Sequence, residues 1–208
     1  MASSDKGAAS AAVAGAPGHA SGEGETRRDF LLLAGGAVGA VGVAMAVWPL
    51  VDSLNPAADT LAAAQPFNVD VSSVQEGQGI TVKYLGEPIF IRKRTKKEID
   101  EARAVPMSEL IDPQTDQARV YRGKSEWLVV KGVCTHLGCV PLGQSPNEDR
   151  GAYGGYYCPC HGSAYDTSGR IRKGPAPQNL WIPPYQFASD TVVRVGAEPT
   201  DGGPKPTS

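Results

Sequence analysis

With 208 residues, 41% of them hydrophobic, the chain is long enough for one domain of ordinary size plus appendages. A formal net charge of −2 excludes the strongly basic balance that nucleic-acid binding usually leaves, so no nucleic-acid partner is expected. Cysteine is scarce, and all four cysteines fall between positions 134 and 161 with two of the three histidines, so clustering carries the signal.

Residues 1–25 are Ala, Gly and Ser with scattered charge, a composition that predicts a disordered N-terminal tail. TRRDFLLLAGG follows, where Arg27 and Arg28 precede an uncharged run from Phe30 to Val51. At about 1.5 Å per residue such a run spans roughly 33 Å, the hydrocarbon thickness of a bilayer. A buried core helix would need a polar face, which the run lacks. Arg27 and Arg28 with Asp29, Phe30 and Leu31 resemble a twin-arginine export signal, and Ala62-Ala63-Ala64 offers a small-residue cleavage site. That site lies far from the apolar run, so 26–52 is expected to be an uncleaved single-pass anchor in the inner membrane, touching lipid. Arg27 and Arg28 before the run, and Asp52 and Asp59 after it, predict a cytoplasmic N-terminus and a periplasmic C-terminal domain.

Residues 53–66 carry small residues bracketed by prolines and predict a hinge linker, although the Ala-rich stretch is also able to extend a helix. From 67 on the pattern turns to β. FNVDVSSV (67–74), ITVKYL and PIFIR read as strands around Gly86-Glu87, EWLVVKGV (126–133) as a strand ending at the first cysteine, and DTVVRVG (190–196) as the last strand. KKEIDEARAV (96–105) predicts a short helix, and Gly/Pro-rich loops fill the rest, giving a mainly β fold over 67–196. RKRTKK (92–97) reads as a solvated strand end, because basic and acidic residues nearly balance from position 65 onward. No role is assigned to it or to the C-terminal tail, 197–208.

The cysteines and histidines form two loops, CTHLGC (134–139) and CPCHGS (158–163), which implies a site between them. Two disulfides suit an exported protein but leave His136 and His161 unexplained. Zinc loops usually space their ligands differently, and six potential ligands exceed four coordination places. A nucleophilic Cys-His pair needs only one cysteine. A mixed-ligand iron-sulfur cluster is the fourth possibility.

The motifs C-T-H-L-G-C and C-P-C-H-G-S-x-Y resemble the two cluster loops of Rieske iron-sulfur proteins. The resemblance implies a Rieske fold of small antiparallel sheets with a cluster-binding subdomain over about 132–178. It also implies one 2Fe-2S cluster held by Cys134 and Cys158 on one iron and by His136 and His161 on the other, with Cys139 and Cys160 joined as a disulfide. Two thiolates and two neutral imidazoles leave the oxidised cluster uncharged, whereas four thiolates leave it doubly negative, so an electron is accepted more easily. Family members of high potential carry hydroxyls at the places of Ser163 and Tyr165, which the resemblance implies bind the cluster's sulfurs. Gly174-Pro175-Ala176-Pro177 is similar to the family's cluster-covering Pro loop, and Leu137 to its apolar shield.

Anchor, hinge, disulfide, Ser/Tyr pair and GPAP together resemble the Rieske subunits of cytochrome bc1 complexes. Expected from that likeness are cytochrome b and cytochrome c1 as partners in a dimeric complex, with ubiquinol as reductant. His161 would take an electron and a proton, the electron would pass to cytochrome c1, and the step would contribute to proton translocation. Ala164 departs from the larger polar residue that many relatives carry. An exported Rieske small subunit of another oxidoreductase, such as arsenite oxidase, is the nearest alternative. An anchored zinc or disulfide binding module is the non-enzymatic one.

Overall fold

The computed structural model describes residues 26–200 and 202–207; the N-terminal tail expected over 1–25, and positions 201 and 208 of the C-terminal tail, lie outside them. The chain divides into two units at Asn55/Pro56. In the first, helix α1 (Arg27–Asp52) is opened by a capping box: the Asp29 N–H donates to Thr26 Oγ1 and the Thr26 N–H to Asp29 Oδ2. None of its side chains is buried, and its length and composition suffice to cross a membrane. A helix apolar on every face matches lipid better than water.

In the second unit the expected hinge segment contains a short helix, α2 (Ala58–Ala63). Beyond it lie three antiparallel three-stranded sheets, whose strands are β1 (Phe67–Asp70), β2 (Gly79–Tyr84), β3 (Glu87–Lys93), β4 (Trp127–Lys131), β5 (Gly154–Cys158), β6 (Ser163–Asp166), β7 (Ile171–Lys173), β8 (Tyr185–Ser189) and β9 (Val192–Val195). They pair as β1-β9-β8, β2-β3-β4 and β5-β6-β7. The first strand is shorter than its sequence suggests, because the Asp70 carboxylate accepts the Ser72 N–H and turns the chain.

The middle sheet organises the domain. Ile89 and Ile91 of β3, with Trp127 and Val129 of β4, join one core shared with Val69, Tyr185, Val193 and Val195. Phe90, Leu128 and Val130, which alternate with them, join a second core with Cys134, Tyr156, Cys158, Tyr165, Ile171 and Leu180. PIFI and WLVV are thus nearly continuous apolar runs because both faces are covered. Phe90 stacks on Tyr156 at 5.5 Å, and a side chain at Gly132 would strike the Phe90 ring, so the sheet and the subdomain above it meet closely there.

Helix α3 (Lys96–Ala104) corrects the picture of a solvated basic run. Arg92 and Arg94 are buried: Arg92 pairs with Glu98 at 3.0 Å and Arg94 with Asp116 at 2.6 Å, while Lys96 and Lys97 stay exposed. The arginines turn inward because carboxylates from later segments meet them, which a local charge count does not reveal. Burial alone would raise Asp116, but its hydrogen bonds to Arg94 and Ser168 and the charges of Arg94 and Arg103 hold its carboxyl below the usual range. The C-terminal tail lies along the domain rather than apart from it. The Thr200 N–H donates to the Tyr121 hydroxyl (3.1 Å), the Arg122 N–H to the Gly202 carbonyl (2.8 Å), and Thr207 exchanges two hydrogen bonds with Ile182.

Candidate iron-sulfur centre

Two loops of like construction face each other above the second core. Cys134 follows β4 after two residues; Cys158 ends β5, and Ser163 begins β6. In each loop the glycine four positions after the first cysteine donates its N–H back to that cysteine's carbonyl, Gly138 to Cys134 at 2.9 Å and Gly162 to Cys158 at 3.0 Å. Both glycines sit at φ near the left-handed helix, 81° and 80°, which a larger residue adopts only with strain. The Leu142–Tyr157 bridge fastens the exit of the first loop to β5.

The structure brings all six expected Cys and His residues together and divides them by environment. Cys139 and Cys160 are joined by a disulfide, which overturns the two-disulfide alternative, since Cys134 and Cys158 are free and buried. His136 and His161 stand edge to face, with ring centroids 4.6 Å apart at 84°, His161 exposed and His136 half-buried. The sulfurs of Cys139, Cys158 and Cys160 all lie within 4.8 Å of one another, so the bridge rests against one of the free thiols.

This donor set fits a metal centre with thiolates inside and imidazoles outside. Burial pushes the Cys158 thiol up, the neighbouring Cys134 pushes in the same direction, and the backbone N–H groups of Cys160 and His161 oppose them. Two adjacent buried thiols resist ionising together unless cations lie between them, and iron supplies that charge.

Tyr165 is fully buried, and its hydroxyl lies 3.2 Å from Cys134 Sγ. Burial raises its pKa, and Cys134 raises it further, so the phenol keeps its proton to donate. Ser163, also buried, accepts the Ala176 N–H at 3.0 Å, which engages its oxygen and leaves its own proton free. Ala176 is the buried residue of the GPAP segment, and Pro175 and Pro177 are exposed around it. Leu137 is 71% exposed and Val140 54%, so Leu137 is no core leucine.

Sequence patterning does not single out Thr135 or Gln178, yet they connect the first loop to the Pro loop. Thr135 Oγ1 donates to the Gln178 carbonyl at 2.7 Å and lies 3.4 Å from the Tyr165 hydroxyl. The available signal was a hydroxyl residue between Cys134 and His136.

Comparison with known proteins agrees with this geometry. A family model described as the Rieske [2Fe-2S] domain matches residues 66–186, and one described as the ubiquitinol-cytochrome C reductase Fe-S subunit TAT signal matches residues 17–57. The ubiquinol-cytochrome c reductase iron-sulfur subunit of Rhodospirillum rubrum is 60% identical over 82% of this chain and 92% of its own length. The subunit of the same name from Bradyrhizobium diazoefficiens is 57% identical over 82% and 94%. A solved chain titled hyperthermophilic respiratory Complex III shares 26% identity over 78% of this chain and 99% of its own, with a TM-score of 0.43. The export-signal match and the apolar α1 mark an exported, membrane-anchored protein. Its cofactor is a Rieske-type 2Fe-2S cluster, which removes the zinc alternative. The chain belongs to the Rieske iron-sulfur family, among the iron-sulfur subunits of ubiquinol-cytochrome c reductase.

Proposed function

We propose that this subunit takes an electron and a proton from ubiquinol at the outer quinol site of cytochrome b and delivers the electron to cytochrome c1. Cys134, Cys158, His136 and His161 would be the cluster's ligands. When bound, the cluster supplies a one-electron couple of high potential, in a range of about −150 to +300 mV against about −400 mV for all-cysteine plant-type clusters.

The observation that carries the reading is the polarity of the donor set. The thiols are buried, while His161, packed edge to face on His136, is exposed, as are Leu137 and Val140 next to the first loop's His136 and Cys139. A quinol approaching this tip meets an apolar surface and an imidazole able to hydrogen-bond its hydroxyl and hold its proton, while Tyr165 and Ser163 keep their own protons directed inward. Leu137 and the Gly174–Pro177 segment would keep water from the centre.

The Arg27–Arg28 pair before α1 and Asp52 and Asp59 after it support an N-terminus in the cytoplasm and a domain on the periplasmic side of the inner membrane, where the complex would be dimeric. Segment 53–66 would act as the hinge on which the domain moves between cytochrome b and cytochrome c1. Proline substitutions within it should slow ubiquinol:cytochrome c turnover and leave the cluster's spectrum intact; unchanged turnover places the mobile link elsewhere.

Low-temperature EPR of membranes bearing the full chain tests the main reading. A Rieske-type signal formed with ascorbate, and with a ubiquinol, supports it. A signal that needs dithionite overturns it in favour of a low-potential electron carrier.

A further inference from the structure

Beneath the Pro loop the domain buries more positive than negative charge. The Asp116 carboxylate is taken by Arg94 at 2.6 Å and Arg103 at 3.3 Å, and the Asp166 carboxylate by Arg170 at 2.7 Å. Arg119 is left over. It is 0% exposed, and among the described residues no carboxylate lies within ion-pair distance, although Asp166, Asp112 and Asp116 act on it from farther away. Its three nitrogens donate to neutral oxygens: Nε to the Ser168 carbonyl at 2.7 Å, Nη1 to Gln114 Oε1 at 2.6 Å and Nη2 to the Leu180 carbonyl at 2.6 Å. Burial lowers its pKa to about 10, which leaves it charged at neutral pH.

A buried charge without a directly paired counter-ion costs more than a neutral donor of similar shape, so holding two carbonyls does not by itself account for an arginine here. Its position supplies another reason. Leu180, whose carbonyl Arg119 holds, packs in the same apolar cluster as Cys134, Cys158 and Tyr165. Between Arg119 and that centre lies low-dielectric protein, through which a charge acts with little screening.

We propose that Arg119 is a positioning residue for the electron, its unpaired buried charge favouring the reduced, more negative state of the centre and so raising the midpoint potential. This rests on the ligand set proposed above. Nothing moves when the electron arrives; the field is already in place. A unit charge about 12 Å from an electron, at an effective dielectric of about 20, changes the reduction equilibrium about tenfold. For one electron a tenfold change is about 59 mV.

The test adds the missing counter-ion. Gln114→Glu places a carboxylate on the 2.6 Å bond to Nη1 and leaves both carbonyl contacts of Arg119 in place. In the membrane-bound complex, an EPR-monitored redox titration should show electron affinity weakened by up to about tenfold, with unchanged line shape and a melting temperature no lower than that of the parent. An unchanged midpoint overturns the proposal; so does a fall accompanied by an altered line shape or a lower melting temperature, which assigns the effect to geometry.

Asp112→Asn gives the opposite sign. It removes one of the negative charges that act on Arg119 from beyond ion-pair distance, while the asparagine oxygen still accepts the Asn179 N–H, held at 3.0 Å in the parent. The midpoint should rise, and a fall or no change overturns the proposal. The EPR signal reports the ligand set and the midpoint reports Arg119, so either reading fails without the other.

Discussion

Replacing Tyr165 by phenylalanine removes one hydroxyl and leaves a ring that is already fully packed in the second core. The hydroxyl lies 3.2 Å from Cys134 Sγ and 3.4 Å from both the Thr135 N–H and Thr135 Oγ1. Thr135 Oγ1 keeps its 2.7 Å bond to the Gln178 carbonyl, and only the long contact from the half-buried Thr135 N–H loses its acceptor. A hydrogen bond to a charged group contributes about 1.5–3 kcal/mol, and the share that bears on the potential is its strengthening when the sulfurs become more negative. Taking that share as about 1 kcal/mol gives a fall in midpoint of about 45 mV, since about 1.4 kcal/mol corresponds to about 59 mV for one electron. Redox titration followed by EPR, at one pH and on membranes with equal signal amplitude, measures it. A rise, or a fall below about 10 mV, equivalent to about 0.2 kcal/mol, would refute the donation from Tyr165 to the ligating sulfur.

Ser163→Ala should also lower the midpoint, and unlike Tyr165→Phe it should reduce thermal stability, because the buried Ala176 N–H loses its acceptor at a cost of about 1–3 kcal/mol. Equal melting temperatures for the two variants would argue against that distinction. Asp116→Asn leaves Arg94 buried without a full counter-charge and should destabilise the domain by about 3–5 kcal/mol in denaturant titrations at neutral pH. Because the folded-state pKa of Asp116 is held down, its contribution is complete above the unfolded value of about 3.9 and is lost as pH falls below it. The gap between parent and Asp116→Asn should therefore narrow below about pH 4, and a constant gap would count against the linkage. Gly155→Ala should prevent stable folding of the β5–β6 pair, because the added methyl would overlap the Asp166 backbone carbonyl, a clash typically costing about 1–3 kcal/mol or more. Normal cluster loading in that variant would show that the strands separate more easily than their packing indicates.

The parts of the fold legible in sequence are those written in aliphatic residues. Strands β2, β3, β4 and β9 announce themselves through Ile and Val, and helix α3 through the run KKEIDEARAV, which the structure shows is opened by a Thr95–Glu98 capping box. Strands β5 to β8 do not: GGYYC, SAYD, IRK and YQFAS are short, and apart from Ile171 their buried positions hold tyrosine, serine, aspartate, glycine, alanine and cysteine. Tertiary contacts, rather than propensity, make them strands. The centre was legible because cysteine and histidine are rare and spaced by a known pattern, and Cys139–Cys160 pairs as that pattern implies. The buried arginine network was not. Arg94 meets Asp116 and Arg170 meets the Gln114 carbonyl across long stretches of chain, and only the folded arrangement turns a basic run into an interior. The C-terminal residues likewise read as a loose tail until Thr207 is seen exchanging hydrogen bonds with Ile182.

Cys160 is exposed while Cys158, two positions earlier in the same turn, is buried. Chemical injury therefore has an order. A small thiol arriving from solution meets the tie between the loops before it meets the buried Cys158 sulfur, so the disulfide is the first point of reductive attack. The compartment that keeps this outer bond oxidised thereby also shelters the thiols beneath it.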